Sequence, residues 1–177
     1  MTKLIRLPAP VGAAMMEALK PVMAMENTLS WYGKYDEWVA DPVSRGRFQI
    51  VGGISPSVLA SLQKLEKAIP KSAEIAIEDK MVMGVKQARH EDKQNGLPAT
   101  EWRQLPALLE APNNVFYDVT SGKIIYILQG ENSAVKGAVE LDYRVKKSYL
   151  NAVVSGYRQS VQQIEERIKR GDWVRLQ

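Results

Sequence analysis

The clearest periodicity lies in the second half of the chain. A helical segment, WRQLPALLEAP from Trp102 to Pro112, precedes the strand-like runs VFYDV, KIIYILQG, VKGAVELDYRV and LNAVVSG, which are separated by short breaks. Consecutive period-2 runs with short connections predict an antiparallel meander, which needs no crossover helices. Alternation puts Lys136, Ala138, Glu140, Asp142 and Arg144 on one face, and Gly137, Val139, Leu141, Tyr143 and Val145 on the other. The apolar set predicts a core side and the charged set a solvated one. In the next run Asn151, Val153, Ser155 and Tyr157 share a side by the same rule, with Arg158 at its end.

Upstream, Arg47–Val51 alternates as a short strand and stops at Gly52-Gly53. Ser55-Pro56 then predicts a helix start, with Val58, Leu62, Leu65 and Ile69 on one stripe and an end before Pro70. Glu74–Glu78 alternates again. A second helix is predicted from Asp79 to about Arg89, with Met81, Val85 and Ala88 at helical spacing, followed by a polar loop, His90–Gly96. Downstream, Ser160 and Gln163 form a capping box, Val161, Ile164 and Ile168 an apolar stripe, and Gly171 a stop signal. Asp172–Leu176 predicts a short final strand.

Residues 1–44 are punctuated by Pro8, Pro10, Pro21 and Pro42 and carry Met15, Met16, Met23 and Met25. Methionine-rich helical pieces of this kind pack against a core or a partner. Trp31, Tyr32, Tyr35 and Trp38 form an aromatic cluster whose spacing of 3, 4 and 7 suits one helical face, which predicts a core anchor in preference to a base-stacking surface. The fold class predicted is α+β: N-terminal helices followed by a meander of four to five strands packed on helices. The domain reading is an N-terminal helical arm, 1–44, and an α+β domain, 45–177, in which a linking strand and helix (45–73) precede a core (74–177).

Composition narrows the chemistry. With no cysteine among 177 residues, disulfide frameworks and Cys-ligated zinc or iron–sulfur sites are excluded. No apolar run approaches the roughly 18 residues of a membrane-spanning helix, and the N-terminus lacks a secretory apolar segment. A soluble cytoplasmic protein is expected, with no membrane partner. Net charge is +4, but residues 1–73 carry 9 Lys+Arg against 6 Asp+Glu and the remainder 15 against 14. The excess is spread thinly, so charge alone does not predict a nucleic-acid ligand.

Neither Arg45-Gly46 nor Gly52-Gly53 meets a Walker or Rossmann spacing, and there is no G-x-S-x-G elbow. With a single histidine and scattered carboxylates, no metal-site signature is present and no cofactor is expected. What remains is a mechanism built from isolated polar side chains. His90 carries any imidazole chemistry, although a histidine at a helix end is also simply attracted to the helix dipole.

Trp102, Leu105-Pro106, Pro112, Ile125-Tyr126-Ile127, Lys136 and Asn151 through Gly156 occur in an order that resembles a known family. So does the upstream segment EWVADPVSRGRFQIVGGISPSVLASLQ, so that the likeness runs from about Glu37 to Gly156. The family is the phage-associated barnase/EndoU/colicin/RelE-like nuclease domain on the C-terminal side of Mu-like minor head (head morphogenesis) proteins. One departure is Ser155-Gly156, where the family word ends in Thr-Gly. The resemblance implies a metal-independent endoribonuclease acting on RNA, tRNA included, with the 2′-hydroxyl as nucleophile. In that role His90 is the general acid/base, Lys136 and Arg158 stabilise the phosphate, Ser155 and Tyr157 position it, and Glu140 is the reserve base. Two other roles are open. One is an inactive head-morphogenesis protein docking on phage head or portal proteins and carried in the virion. The other is a toxin with a cognate immunity protein.

Overall fold

The computed structural model describes residues 29–83, 96–129 and 133–177. Residues 29–40 form the first helix, α1. Strand β1 (Phe48–Gly53), helix α2 (Pro56–Lys64) and strand β2 (Glu74–Glu78) follow, and then a 3₁₀ turn, Asp79–Met81. Two short helices, α3 (Ala99–Arg103) and α4 (Leu105–Glu110), lead into β3 (Asn114–Asp118), β4 (Ile124–Gln129), β5 (Ser133–Val145) and β6 (Ser148–Ser160). Helix α5 (Val161–Lys169) and strand β7 (Trp173–Arg175) close the described chain.

The seven strands form one sheet in the order β1-β2-β6-β5-β4-β3-β7. The α+β class is as expected, and β3 to β6 pair consecutively and antiparallel. The sheet is nevertheless not a simple meander. β2 lies parallel to β6, with Ile75, Ala76 and Ile77 beside Asn151, Ala152 and Val153, and β7 adds to the far edge against β3. A parallel neighbour requires a long excursion between the two strands, and here that excursion contains α3, α4 and the three strands of the meander before β6 returns.

Both faces of the sheet are covered. The larger core packs Trp31, Tyr35 and Trp38 of α1, Val58 and Leu62 of α2, and Trp102, Leu105, Leu108 and Leu109 of α3–α4 against Ile75, Ile77, Val139 and Val153. Aromatic burial of this kind removes roughly 150–250 Å² per ring from water, about 4–6 kcal/mol each before chain entropy is counted. That is why Trp31, Tyr35 and Trp38 dock as a core anchor, whereas Tyr32, expected in the same cluster, stays exposed. On the opposite face α5 covers a smaller cluster through Ile164, over Phe116, Ile125, Ile127, Ala134, Ala138 and Trp173.

Local chemistry explains where elements stop. α2 ends at Leu65 instead of running toward Ile69, because Glu66 turns left-handed (φ 56). The N–H groups of Lys67 and Glu66 then donate to the carbonyls of Leu62 and Gln63, which satisfies the helix end. The segment expected as one helix from Trp102 splits at Gln104 because Pro106 has no N–H to return to Trp102. The Trp102 carbonyl instead accepts the indole N–H of Trp31 at 2.6 Å. Asp79 opens a single 3₁₀ turn that ends at Val82 in place of the predicted helix, and residues 84–95, with the predicted helix end at Arg89 and His90, lie outside the described residues. The capping box at Ser160/Gln163 and the stop at Gly171 (φ 77) form as predicted.

Candidate functional site

Two bulges decide which residues share a face. In β6 the partners of Ala138 and Val139 are Ser155 and Val153, leaving Val154 as an extra residue. In β5 the partners of Glu140 and Tyr143 are Ala152 and Leu150, so Leu141 and Asp142 oppose Asn151 alone, and Asp142 has φ 50. An extra residue reverses every side chain beyond it. Asn151 and Val153 therefore share the large-core face with Ile75 and Ile77. Ser155 and Tyr157 face the other way, and the period-2 expectation that all four share a side fails for this reason. On β5 the second bulge likewise turns Arg144 away from the Lys136 face.

Lys136 and Tyr157 are cross-strand partners. The Lys136 ammonium donates to the Tyr157 hydroxyl oxygen at 2.8 Å and lies 4.8 Å from the centre of its ring and 5.2 Å from that of Trp173. Both residues of the pair are half-buried. Among the described residues no carboxylate forms an ion pair with Lys136. Ser155, opposite Ala138, and Glu140, opposite Ala152, complete the polar part of this face by register. The sheet thus presents a cation, two hydroxyls and a carboxylate on one side.

A small cavity adjoins this patch. Ile127, the β4 partner of Lys136, also lines a space of about 160 Å³ beneath α5, with Phe116, Ile164, Ile168 and, at its polar end, Asn114, Glu165 and Arg175. Ligand pockets typically hold about 300–1,000 Å³, so this space is too small for a nucleobase and its sugar. Arg175 donates to Asn114 at 2.6 Å and lies over the Phe116 ring.

Arg158 is not part of the patch. It pairs in register with Val135, on the large-core face, where its guanidinium forms an ion pair with Glu101 of α3 and donates to Ser133 Oγ at 3.0 Å. The other Glu101 oxygen is buried without a protein hydrogen-bond partner, so this carboxylate depends on Arg158 for its compensation. His90 lies outside the described residues. The described chain resumes at Gly96, which bridges Tyr157.

Two buried polar residues escaped the sequence reading as structural fixtures. Asn151 is fully buried. Its amide donates to the carbonyls of Ser72 (2.6 Å) and Glu74 (2.9 Å), and its oxygen accepts the Asp142 N–H at 3.2 Å. Asp79, also fully buried, accepts from Arg47 Nε at 2.7 Å, the Arg45 N–H at 2.9 Å and Ser44 Oγ at 3.3 Å. Burial alone would push the Asp79 carboxyl up, but the hydrogen bonds from Arg45 and Arg47 and the guanidinium charge outweigh it and hold the group below the ordinary carboxylate value. Both residues are fully committed to holding loops and strand ends together. No single sequence signal marks them, since Asp79 depends on partners 32 to 35 residues away and Asn151 on carbonyls 77 and 79 residues away.

No helix among the described residues is long and apolar enough to cross a membrane. Comparison with protein-family models, curated proteins and solved structures gave no match.

Proposed function

We propose that the protein is a ribonuclease-like module of phage or prophage origin that cleaves RNA by metal-independent attack of the 2′-hydroxyl, with its chemistry centred on Lys136 and Tyr157. The observation that carries this reading is the Lys136 ammonium, held 2.8 Å from the Tyr157 hydroxyl on a half-buried sheet face and in no ion pair with a carboxylate among the described residues. A preorganised cation stabilises the charge that develops on a pentavalent phosphate. Ser155 and Tyr157 position the phosphate, Glu140 is the carboxylate on the same face, and His90 supplies the general acid/base. Arg158, tied to Glu101, has no catalytic part in this scheme.

The test is incubation of the purified chain with tRNA and total RNA, with and without EDTA. The expected products carry 2′,3′-cyclic phosphate ends, EDTA leaves the rate unchanged, and Lys136→Met and His90→Ala each lose at least about 100-fold. EDTA-sensitive cleavage, or full activity in both variants, would sink the proposal.

The ion pair of Arg158 with Glu101 favours a second reading, an inactive head-morphogenesis protein docking on phage head or portal proteins. It removes one of the cations that an RNA backbone would need. Absence of cleavage, absence of growth arrest on expression in bacteria and a stable oligomer on sizing would together support this reading.

A further inference from the structure

The β5–β6 hairpin ends in a two-residue loop, Lys146–Lys147, between Val145 and Ser148. Such loops favour Asn-Gly or Asp-Gly, because the backbone turns through positive φ. Here Lys146 has φ 53, a conformation that its Cβ disfavours. The turn is closed by Ser148 Oγ, which donates to the Val145 carbonyl at 3.2 Å, and not by either lysine side chain. Lys146 and Lys147 are exposed, and neither they nor the exposed Arg144 has an ion-pair partner among the described residues. A disfavoured backbone conformation at a residue whose own side chain takes no part in closing the turn points to another use for that side chain.

An aromatic ring stands beside these charges. Tyr149 is the cross-strand partner of Arg144 and is 42% exposed. The Lys71 ammonium lies 3.6 Å from its ring centre. Lys71 is anchored by its backbone N–H, which donates to Asp142 Oδ1 at 2.9 Å, so the bulge that turns Arg144 toward Tyr149 also brings in a fourth cation. Asp142 is the acidic group facing this cluster, and that oxygen is engaged by the Lys71 backbone. One cation on an exposed aromatic ring, a second opposite it across the strands and two more in the adjoining loop match the chemistry of single-stranded nucleic acid: phosphates for the cations and a base for the ring.

We infer that the tip of the β5–β6 hairpin, with Lys71, Arg144, Lys146, Lys147 and Tyr149, is a docking site for single-stranded RNA, separate from the Lys136 patch. The choice of RNA rests on the functional reading above. The location does not. Lys136 and Arg144 are eight residues apart on one strand, roughly 25 Å, so a strand held at the tip reaches the patch only if it runs along β5. An acidic protein segment is the competing occupant, but it has no base to stack on the exposed Tyr149 ring.

The test is fluorescence anisotropy of a labelled 12-nucleotide uridine RNA with the full chain over a range of salt concentrations. For Lys146→Gln with Lys147→Gln, affinity is expected to fall at least 10-fold, and the log–log salt slope to shrink by about 1.4 for two lost phosphate contacts. Tyr149→Ala is expected to weaken binding at an unchanged salt slope, and Tyr149→Phe to retain it. Lys146→Gly provides a control against misfolding: it should raise the melting temperature, by relieving the backbone, while still weakening RNA. Wild-type affinity and slope in the double variant would overturn the inference, as would equal competition by polyglutamate with no effect of Tyr149→Ala. Lys136→Met separates the two proposals. If cleavage is absent but the hairpin variants lose binding, the docking site stands and the catalytic reading fails. If cleavage is intact and the hairpin variants bind normally, the reverse holds.

Discussion

Trp102 occupies the space that a side chain at Gly156 would need: a Cβ at position 156 would stand 2.7 Å from the Trp102 Cη2 atom. The two residues mark the ends of the helix-to-strand stretch that dominates the sequence pattern, and in the fold they are pressed together. Gly156 is therefore required by contact with α3, not by backbone conformation. Gly156→Ala is expected to destabilise the protein by about 1–3 kcal/mol through overpacking. In a double-mutant cycle Trp102→Phe should absorb part of that cost, measured by urea unfolding. Strict additivity would show that the contact does not limit position 156.

Asn151 joins three segments from a fully buried position. Asn151→Ala leaves the Ser72 and Glu74 carbonyls and the Asp142 N–H without this partner, which should cost about 2–3 kcal/mol. The loss should appear in urea unfolding at unchanged m-value. A cost below about 0.5 kcal/mol would mean that water replaces the amide without penalty.

Asp79 makes stability depend on pH. Its folded-state pKa is lowered, so its contribution is fully present above the unfolded value near 4 and is lost as pH falls through the folded value. Asp79→Asn should therefore destabilise the protein at pH 7 and much less at pH 3. Equal destabilisation at the two pH values, by urea unfolding, would show that the carboxylate charge is not what holds Arg45 and Arg47.

The Glu101–Arg158 pair is asymmetric: Arg158 is more exposed than Glu101, and a Glu101 oxygen is buried. Removing the cation leaves a carboxylate with poor compensation, whereas removing the carboxylate leaves a guanidinium that water can reach. Arg158→Gln should lower the melting temperature more than Glu101→Gln does. If RNA is cleaved, Arg158→Gln should leave the rate within about tenfold of wild type. A loss of 100-fold at unchanged melting temperature would return Arg158 to the catalytic face.

Tyr157→Phe tests how the Lys136 ammonium is held. The phenyl ring keeps its packing while the hydroxyl that accepts from Lys136 at 2.8 Å is lost. The expected result is a melting temperature within a few degrees of wild type and a fall in RNA cleavage of about 10-fold or more. Unchanged cleavage would show that the hydroxyl does not position the cation.

Some elements were legible in the sequence because their signals are local. The strand β4, the capping box at Ser160 and Gln163, the stop at Gly171 and the aromatic face of α1 all follow from spacing and cap chemistry within a few residues. Lys136 and Tyr157 could be picked out on their strands for the same reason. The sequence did not show that they touch, because cross-strand register depends on the two bulges, and no residue pattern announces Val154 or Asp142 as extra.

The sequence by itself determined the α+β class and the four consecutive antiparallel strands, since period and turn residues act over short range, whereas the Lys136 side of β5, expected to be solvated, carries the smaller apolar cluster with Ala134 and Ala138 buried under α5. Only the tertiary structure decided that β2 joins β6 in parallel, that Arg158 turns toward Glu101, and that Gly156 must be glycine. Each of these depends on which distant segment arrives alongside. That outcome is set by the shared burial of α1, α3 and α4 on one face of the sheet, and no local stretch of the chain encodes it.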